Sequence, residues 1–220
     1  MNMIMINASP RITKNSNTEI IMQSFIKGFL KSGEHEVKIY HLVEESTWKD
    51  IREAIYRYDH IMFALPMYVE NIPGIMIAFL ETMDIEKMKN KTMYFILQGG
   101  FAEASQFRCC EAYLKKLPGY FACRYGGTLL KGNMFILHEM SMQKQQKEMK
   151  QFYDIGIIFA RRQCFDQVLT DAFGKPEYLS KKMIVLQYLM RPLQRMIFRI
   201  FANRKGCKMA LDTKPYKEKV

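Results

Sequence analysis

Ser9, Arg11, Asn15, Ser16, Asn17 and Thr18 crowd a short polar stretch directly after the apolar run Met3-Ile4-Met5-Ile6. Their hydroxyls and amides can donate hydrogen bonds to an anion, and Arg11 adds a fixed positive fork. The periodic run Ile20, Ile21, Phe25, Ile26, Phe29 that follows predicts a helix, whose first N–H groups lack partners within it. A helix N-terminus lined with hydroxyls suits a phosphate monoester. The same residues also fit a plainer role, in which Asn17 or Thr18 caps an ordinary helix with no ligand. The stretch has neither the Gly-rich spacing of a dinucleotide fingerprint nor a Gly-Lys-Ser/Thr ending, so any phosphate here is held mainly by side chains and amides.

Two other stretches carry comparable equipment. Pro66-Met67-Tyr68-Val69-Glu70-Asn71 combines a fixed turn with an aromatic ring and free backbone amides, which together can border a flat heteroaromatic ring. Equally, Pro66 ends a strand and Tyr68 packs. Gln98-Gly99-Gly100-Phe101 lets the backbone approach a ligand closely, although Gly-Gly is also a simple turn signal.

The elements that must position these loops follow from the hydrophobic pattern. Strand-like runs fall at 3–6, 36–42, 60–65, 93–97 and 121–130, and helical spacing at 18–31, 48–58, 74–83, 104–117 and 143–162. Five alternations of strand and helix predict an α/β fold: an open five-stranded parallel sheet with helices on both faces. Ligands in such sheets sit beyond the carboxyl ends of the strands, near the topological switch point. Loops 7–17, 66–71 and 98–103 all leave strands at that end, and their coincidence says more than any one of them.

The 220 residues fit one domain with an appendage, and 49% hydrophobic residues mark a globular chain. Boundaries of 1–163 for the α/β domain and 164–220 for a helical extension follow from a shift in charge. The extension holds 12 Lys/Arg against 5 Asp/Glu, a large share of the net charge of +11. Within it, apolar residues over 183–202 alternate with Arg191, Arg195 and Arg199, which predicts one amphipathic helix kinked at Pro192. Such a helix packs on its own domain or a dimer mate, fits a partner groove, or lies on an anionic membrane. Nucleic acid is not expected, because the basic residues are not interleaved with exposed aromatics on a recognised module. Five cysteines without a C-x-x-C pair indicate neither a disulfide framework nor a zinc site, which fits the cytoplasm. Neither a secretory signal nor an apolar run of membrane-spanning length is read.

Asn7-Ala8-Ser9-Pro10-Arg11 with Asn15-Ser16-Asn17-Thr18 resembles the opening motif of the flavodoxin-like NAD(P)H-dependent FMN reductases and related quinone reductases. Pro66-Met67-Tyr68 with Ile72-Pro73-Gly74 and Ala78-Phe79-Leu80-Glu81 resembles a second motif of that family. The sequence departs from it at Ala8 and Ser16, where glycine is usual, and at Ile77-Ala78, where a basic residue is common.

The resemblance covers about the first 160 residues and implies a flavodoxin-like fold, FMN as cofactor and NAD(P)H as co-substrate. It implies that Ser9, Arg11, Asn15, Ser16, Asn17 and Thr18 surround the FMN phosphate. Pro66, Met67, Tyr68 and Val69 would then border the isoalloxazine ring, with Gln98, Gly99, Gly100 and Phe101 on its other side. A homodimer and a small-molecule electron acceptor are likewise implied. Hydride acceptance is the flavin's own reactivity, so no general acid or base is nominated, and the four histidines are read as structural or surface residues. A non-enzymatic flavodoxin-type electron carrier or flavin-binding protein is the alternative, and the basic charge argues against the carrier.

Overall fold

The computed structural model describes residues 1–204, 206 and 207. Its first unit, Met1–Tyr178, is built on strands β1 (Asn2–Asn7), β2 (Glu36–His41), β3 (His60–Pro66), β4 (Thr92–Gln98) and β5 (Arg124–Lys131). They lie in the order β2-β1-β3-β4-β5, and every neighbouring pair is parallel. This is the flavodoxin-like sheet, with its switch point between β1 and β3. The helices of this unit are α1 (Asn17–Lys31), α2 (Trp48–Ile55), α3 (Gly74–Leu80), the single turn α4 (Ile85–Met88), α5 (Arg108–Lys116), α6 (Met142–Arg162) and α7 (Gln167–Gly174).

The uninterrupted apolar runs of β1, β3 and β4 have a direct cause, because strands inside a parallel sheet are covered on both faces. Successive side chains alternate between two cores. Met3, Met5, Met62 and Ala64 pack with α1 and α6, whereas Ile4, Ile6, Ile61 and Phe63 pack with α2, α3 and α5. β2 is an edge strand and stays half-buried.

The helix that carries the polar N-terminal loop is fixed by α6. Gly28 and Gly156 let the two backbones meet: a Cβ on Gly28 would lie 1.9 Å from the carbonyl oxygen of Tyr153, and one on Gly156 would lie 2.2 Å from that of Phe25. The rings of Phe25 and Phe29 then sit 5.5 and 6.0 Å from that of Phe159. Such pairs add to the burial term and fix the angle at which α1 leaves the sheet.

The first unit runs beyond the boundary at 163 read from charge, because α7 and the segment after it are anchored. Backbone N–H groups of Ala104 and Ser105 donate to Pro176 and Glu177, and Arg108 makes two bonds to the Glu177 carboxylate. A second unit begins at Leu179. Its helices are α8 (Lys181–Leu189) and α9 (Arg191–Arg204). The one kinked helix expected over 183–202 is thus two helices separated by Met190, since Pro192 has no N–H to give the carbonyl of Tyr188. Residues 205 and 208–220 of the expected extension lie outside the described residues.

Alanine in place of glycine normally favours a helix interior. Gly156→Ala is expected to do the opposite here, costing about 1–3 kcal/mol through overpacking against α1 and lowering Tm by several degrees. An unchanged or higher Tm would mean that α1 and α6 are not in backbone contact.

Candidate functional site

The loops after β1, β3 and β4 enclose a cavity of about 260 Å³ at the carboxyl end of the sheet. Ser9, Arg11, Asn17 and Thr18 line it from the first loop, Pro66, Met67 and Tyr68 from the second, and Gln98, Gly99 and Gly100 from the third. Four of the residues singled out in sequence lie off that lining. Asn15 is exposed in a short 3-10 turn, Ser16 is the N-cap of α1, and Val69 and Phe101 stand at the exposed rim. A larger hollow, about 660 Å³, opens near the amino ends of the strands around Asn2, Asp59 and His60. It is a wide surface depression, and His60 is already engaged there with the Tyr94 hydroxyl at 3.0 Å.

The first loop is folded by its own side chains. Asn7 Oδ1 accepts from the Ser9 N–H at 3.0 Å, and Ser9 Oγ accepts from the Arg11 N–H at 3.2 Å. These two short-range turns deliver the chain to Ser16, whose hydroxyl accepts from the Glu19 N–H at 3.3 Å. Asn17 and Thr18 then occupy the first turn of α1, where backbone N–H groups have no acceptor within the helix.

Gln98 joins the three loops. Its side-chain amide donates to Thr18 Oγ1 at 3.2 Å, and its carbonyl accepts from the Met67 N–H at 2.8 Å. Thr18 therefore accepts from Gln98 and keeps its hydroxyl proton for another partner. Gly99 is required by packing as well as by the cavity, since a Cβ there would come within 2.6 Å of the buried Phe107 ring.

The second loop ends in a tight turn. Tyr68 and Asn71 exchange two backbone hydrogen bonds of 3.0 Å across Val69 (φ 48°) and Glu70 (φ 62°). Two left-handed residues in succession suit Asn-Gly, and a β-branched valine is disfavoured there. The strained turn holds Val69 97% exposed beside the cavity mouth.

A family model described as NADPH-dependent FMN reductase matches residues 1–119, more than half of the chain. The chain belongs to that family. Family membership makes FMN its cofactor and NAD(P)H its co-substrate. A search of curated proteins returned no match. Among solved structures, an FMN-dependent NADH-azoreductase from Bacillus anthracis in complex with FMN superposes with TM-score 0.54 at 11% identity, over 73% of this chain and 100% of that one. An NADH:FMN oxidoreductase in its apo form gives TM-score 0.58 at 15% identity, over 80% and 96%. An NADPH-quinone reductase from P. pentosaceus gives TM-score 0.52 at 17% identity, over 71% and 98%. These likenesses concern the fold.

In this member of the FMN reductase family, sequence reading missed a supporting layer and one lining residue. Asn7 Nδ2 donates to Glu19 Oε2 at 2.9 Å, Gln23 Nε2 donates to Glu19 Oε1 at 2.8 Å, and His41 Nε2 lies 2.8 Å from Glu19 Oε2. Burial alone would raise the Glu19 pKa, but the bonds from His41, Gln23 and Asn7 outweigh it and hold the carboxyl at about 2. Hydrogen bonding to Glu19 raises the His41 pKa, against the effect of burial. Ser16-Asn17-Thr18-Glu19 has the spacing of a capping box, but the carboxylate turns to Asn7 and His41 instead of the N-cap. The missed lining residue is Phe135, from the loop after β5. Its carbonyl and that of Met134 accept from Asn17 Nδ2 at 3.1 and 2.8 Å. The strand-end rule, applied to β5 as well, would have found it.

His41 is engaged with Glu19 and His60 with the Tyr94 hydroxyl. Of the two neighbouring cysteines, Cys109 is exposed and Cys110 packs in the core, where burial, then the charges of Cys109 and Glu111, push its thiol up to about 12. Among the described residues no group of His, Cys, Asp and Glu could hold a metal ion.

Two predictions follow from this geometry. Replacing the strained turn by Val69→Asn with Glu70→Gly is expected to stabilise the protein by about 1–2 kcal/mol, read as a higher Tm. The Glu19–His41 pair gives a pH dependence with a fixed sign. The contribution of a raised His41 is complete below 6.5 and is lost as pH rises through its folded value; that of a lowered Glu19 is complete above 4.5 and is lost toward about 2. Melting curves taken upward from pH 6.5 should therefore show the wild type losing stability relative to His41→Gln, and parallel curves would remove the pair from the stability of the loop.

Proposed function

We propose that the protein is an FMN-dependent oxidoreductase that passes a hydride from NAD(P)H through bound FMN to a quinone, flavin, nitro compound or similar acceptor. The observation that carries the site assignment is Asn17. Its Nδ2 is committed to two carbonyls, and its Oδ1 is a buried acceptor without a protein partner. An acceptor so placed, at a cavity edge beside unpaired helix N–H groups, calls for a ligand carrying both hydroxyls and an anion. A ribityl phosphate has both.

In this reading the phosphate lies against Ser9, Arg11 and the first turn of α1, with Ser16, Asn17 and Thr18 setting that turn and Asn15 at its outer edge. Arg11 supplies the positive charge, and the Thr18 hydroxyl donates its remaining proton to a phosphate oxygen. Pro66, Met67 and Tyr68 border one edge of the ring, and Gln98, Gly99 and Gly100 border the other, with Phe135 alongside. Bound FMN supplies hydride acceptance and release at its own ring. The protein orients the ring and leaves part of it open, because 260 Å³ lies just below the about 300–1,000 Å³ of pockets that bury most of a ligand. An open ring edge is what two alternating small molecules need. The exposed rim residues Val69, Phe101 and Phe135 suit a homodimer in which the second copy covers them.

Purified protein should be yellow or take up FMN in a titration, and NADPH should bleach the bound flavin in stopped-flow mixing. Colourless protein that binds no FMN would sink the reading; flavin that binds but is not bleached would favour an electron carrier. Thr18→Ala should weaken FMN about tenfold or more and leave riboflavin nearly unchanged. Equal losses for both would place the phosphate elsewhere.

A further inference from the structure

The second unit differs chemically from the first. Before Leu179 the chain holds 22 Lys/Arg against 20 Asp/Glu; from Leu179 onward it holds 11 against 2. Between Leu179 and Arg204 there are six cations and no carboxylate. The same stretch exposes twelve large apolar side chains between Met183 and Ile200, most of them about half accessible or more. An apolar surface of this size on a soluble protein marks an interaction site.

The arrangement in α9 is sorted by face. At 100° per residue, Leu193, Met196, Ile197 and Ile200 fall on one side, and Arg191, Arg195 and Arg199 on the opposite one. An open hollow of about 700 Å³ on the arginine side is lined by Arg191, Arg195, Pro192, Gln194 and Phe198. α8 is apolar around most of its circumference after Lys181 and Lys182. Neither helix can cross a bilayer: the 14 residues of α9 span about 21 Å, short of the roughly 30 Å hydrocarbon core. No described helix is long and apolar enough to do so.

We infer that α8 and α9 form an in-plane docking surface for a bilayer containing anionic phospholipid. Charge complementarity decides among the occupants. A second copy docked here would add its own six cations to a stretch that holds no carboxylate, whereas an anionic lipid surface brings phosphates to it. The apolar face enters the boundary of headgroups and acyl chains, and the long arginine side chains reach back to the phosphates. The inference does not depend on what the first unit binds.

The test uses the full chain and co-sedimentation with vesicles. Phosphatidylcholine vesicles containing phosphatidylglycerol should bind at least about tenfold more tightly than phosphatidylcholine alone, with the difference shrinking in high salt. Arg191→Gln with Arg195→Gln and Arg199→Gln should lose about tenfold or more on the anionic vesicles. Leu193→Ser with Ile197→Ser should lose binding too, through the apolar face. Circular dichroism and Tm close to those of the wild type exclude misfolding as the cause. Absent or equal binding to the two vesicle types overturns the inference. So does self-association of the wild type that the serine variant abolishes, which would give the face to a second copy.

Discussion

The site depends on one hydrogen bond that crosses between secondary-structure elements, from Gln98 at the end of β4 to Thr18 in the first turn of α1. Strand register alone places three loops at the same end of the sheet, several ångströms apart. The Gln98 side chain draws the first loop to the third while its carbonyl holds the start of the second. A buried amide of this kind is costly when unpaired, so the contact fixes a single arrangement of the loops. The cavity is the space this arrangement leaves.

Below it, Asn7 links the end of β1 to Glu19 and through it to His41 on β2. The loop is thus braced from both sides: by the neighbouring strand through a charged pair, and by β4 through a neutral bond. A half-buried carboxylate is unfavourable by itself. Held ionised at about 2 and paired with an imidazole and two amides, it instead acts as a fixed acceptor that organises the loop from behind.

Much of this could be read from the residues alone. The runs 60–65 and 93–97 are apolar at every position because β3 and β4 are covered on both faces, and that pattern gives the parallel sheet. The helix start near Thr18 and the three loops at strand ends were equally visible. What was not legible involves contacts distant in sequence or decided by local geometry. Phe135 reaches the cavity through bonds distant in sequence, from Asn17 to the carbonyls of residues 134 and 135 and from the Met134 N–H to Gly99. Ser16 reads as a ligand donor, and its role as the N-cap of α1 shows only in the bond from Glu19. Val69 and Glu70 carry no glycine to announce two left-handed residues. A boundary at 163 follows from charge, whereas the anchoring of Pro176 and Glu177 on Ala104, Ser105 and Arg108 comes from contacts that charge counts do not register. The net charge of the whole chain also misleads: nearly all of it follows Leu179, so it says little about the electrostatics of the flavodoxin-like unit.

The close contact of Gly28 with α6 also bears on the order in which the protein is made. The polar loop and α1 are among the first parts of the chain to be synthesised, yet the aromatic face of α1 finds Phe152 and Phe159 only after most of the chain has followed. At about 5–20 residues per second the nascent N-terminal half spends several seconds with Phe25 and Phe29 uncovered. The cavity between the three loops is accordingly a late product of folding. A ribosome-bound chain that ends before α6 has every loop residue in place, but lacks the helix that sets the direction in which they point.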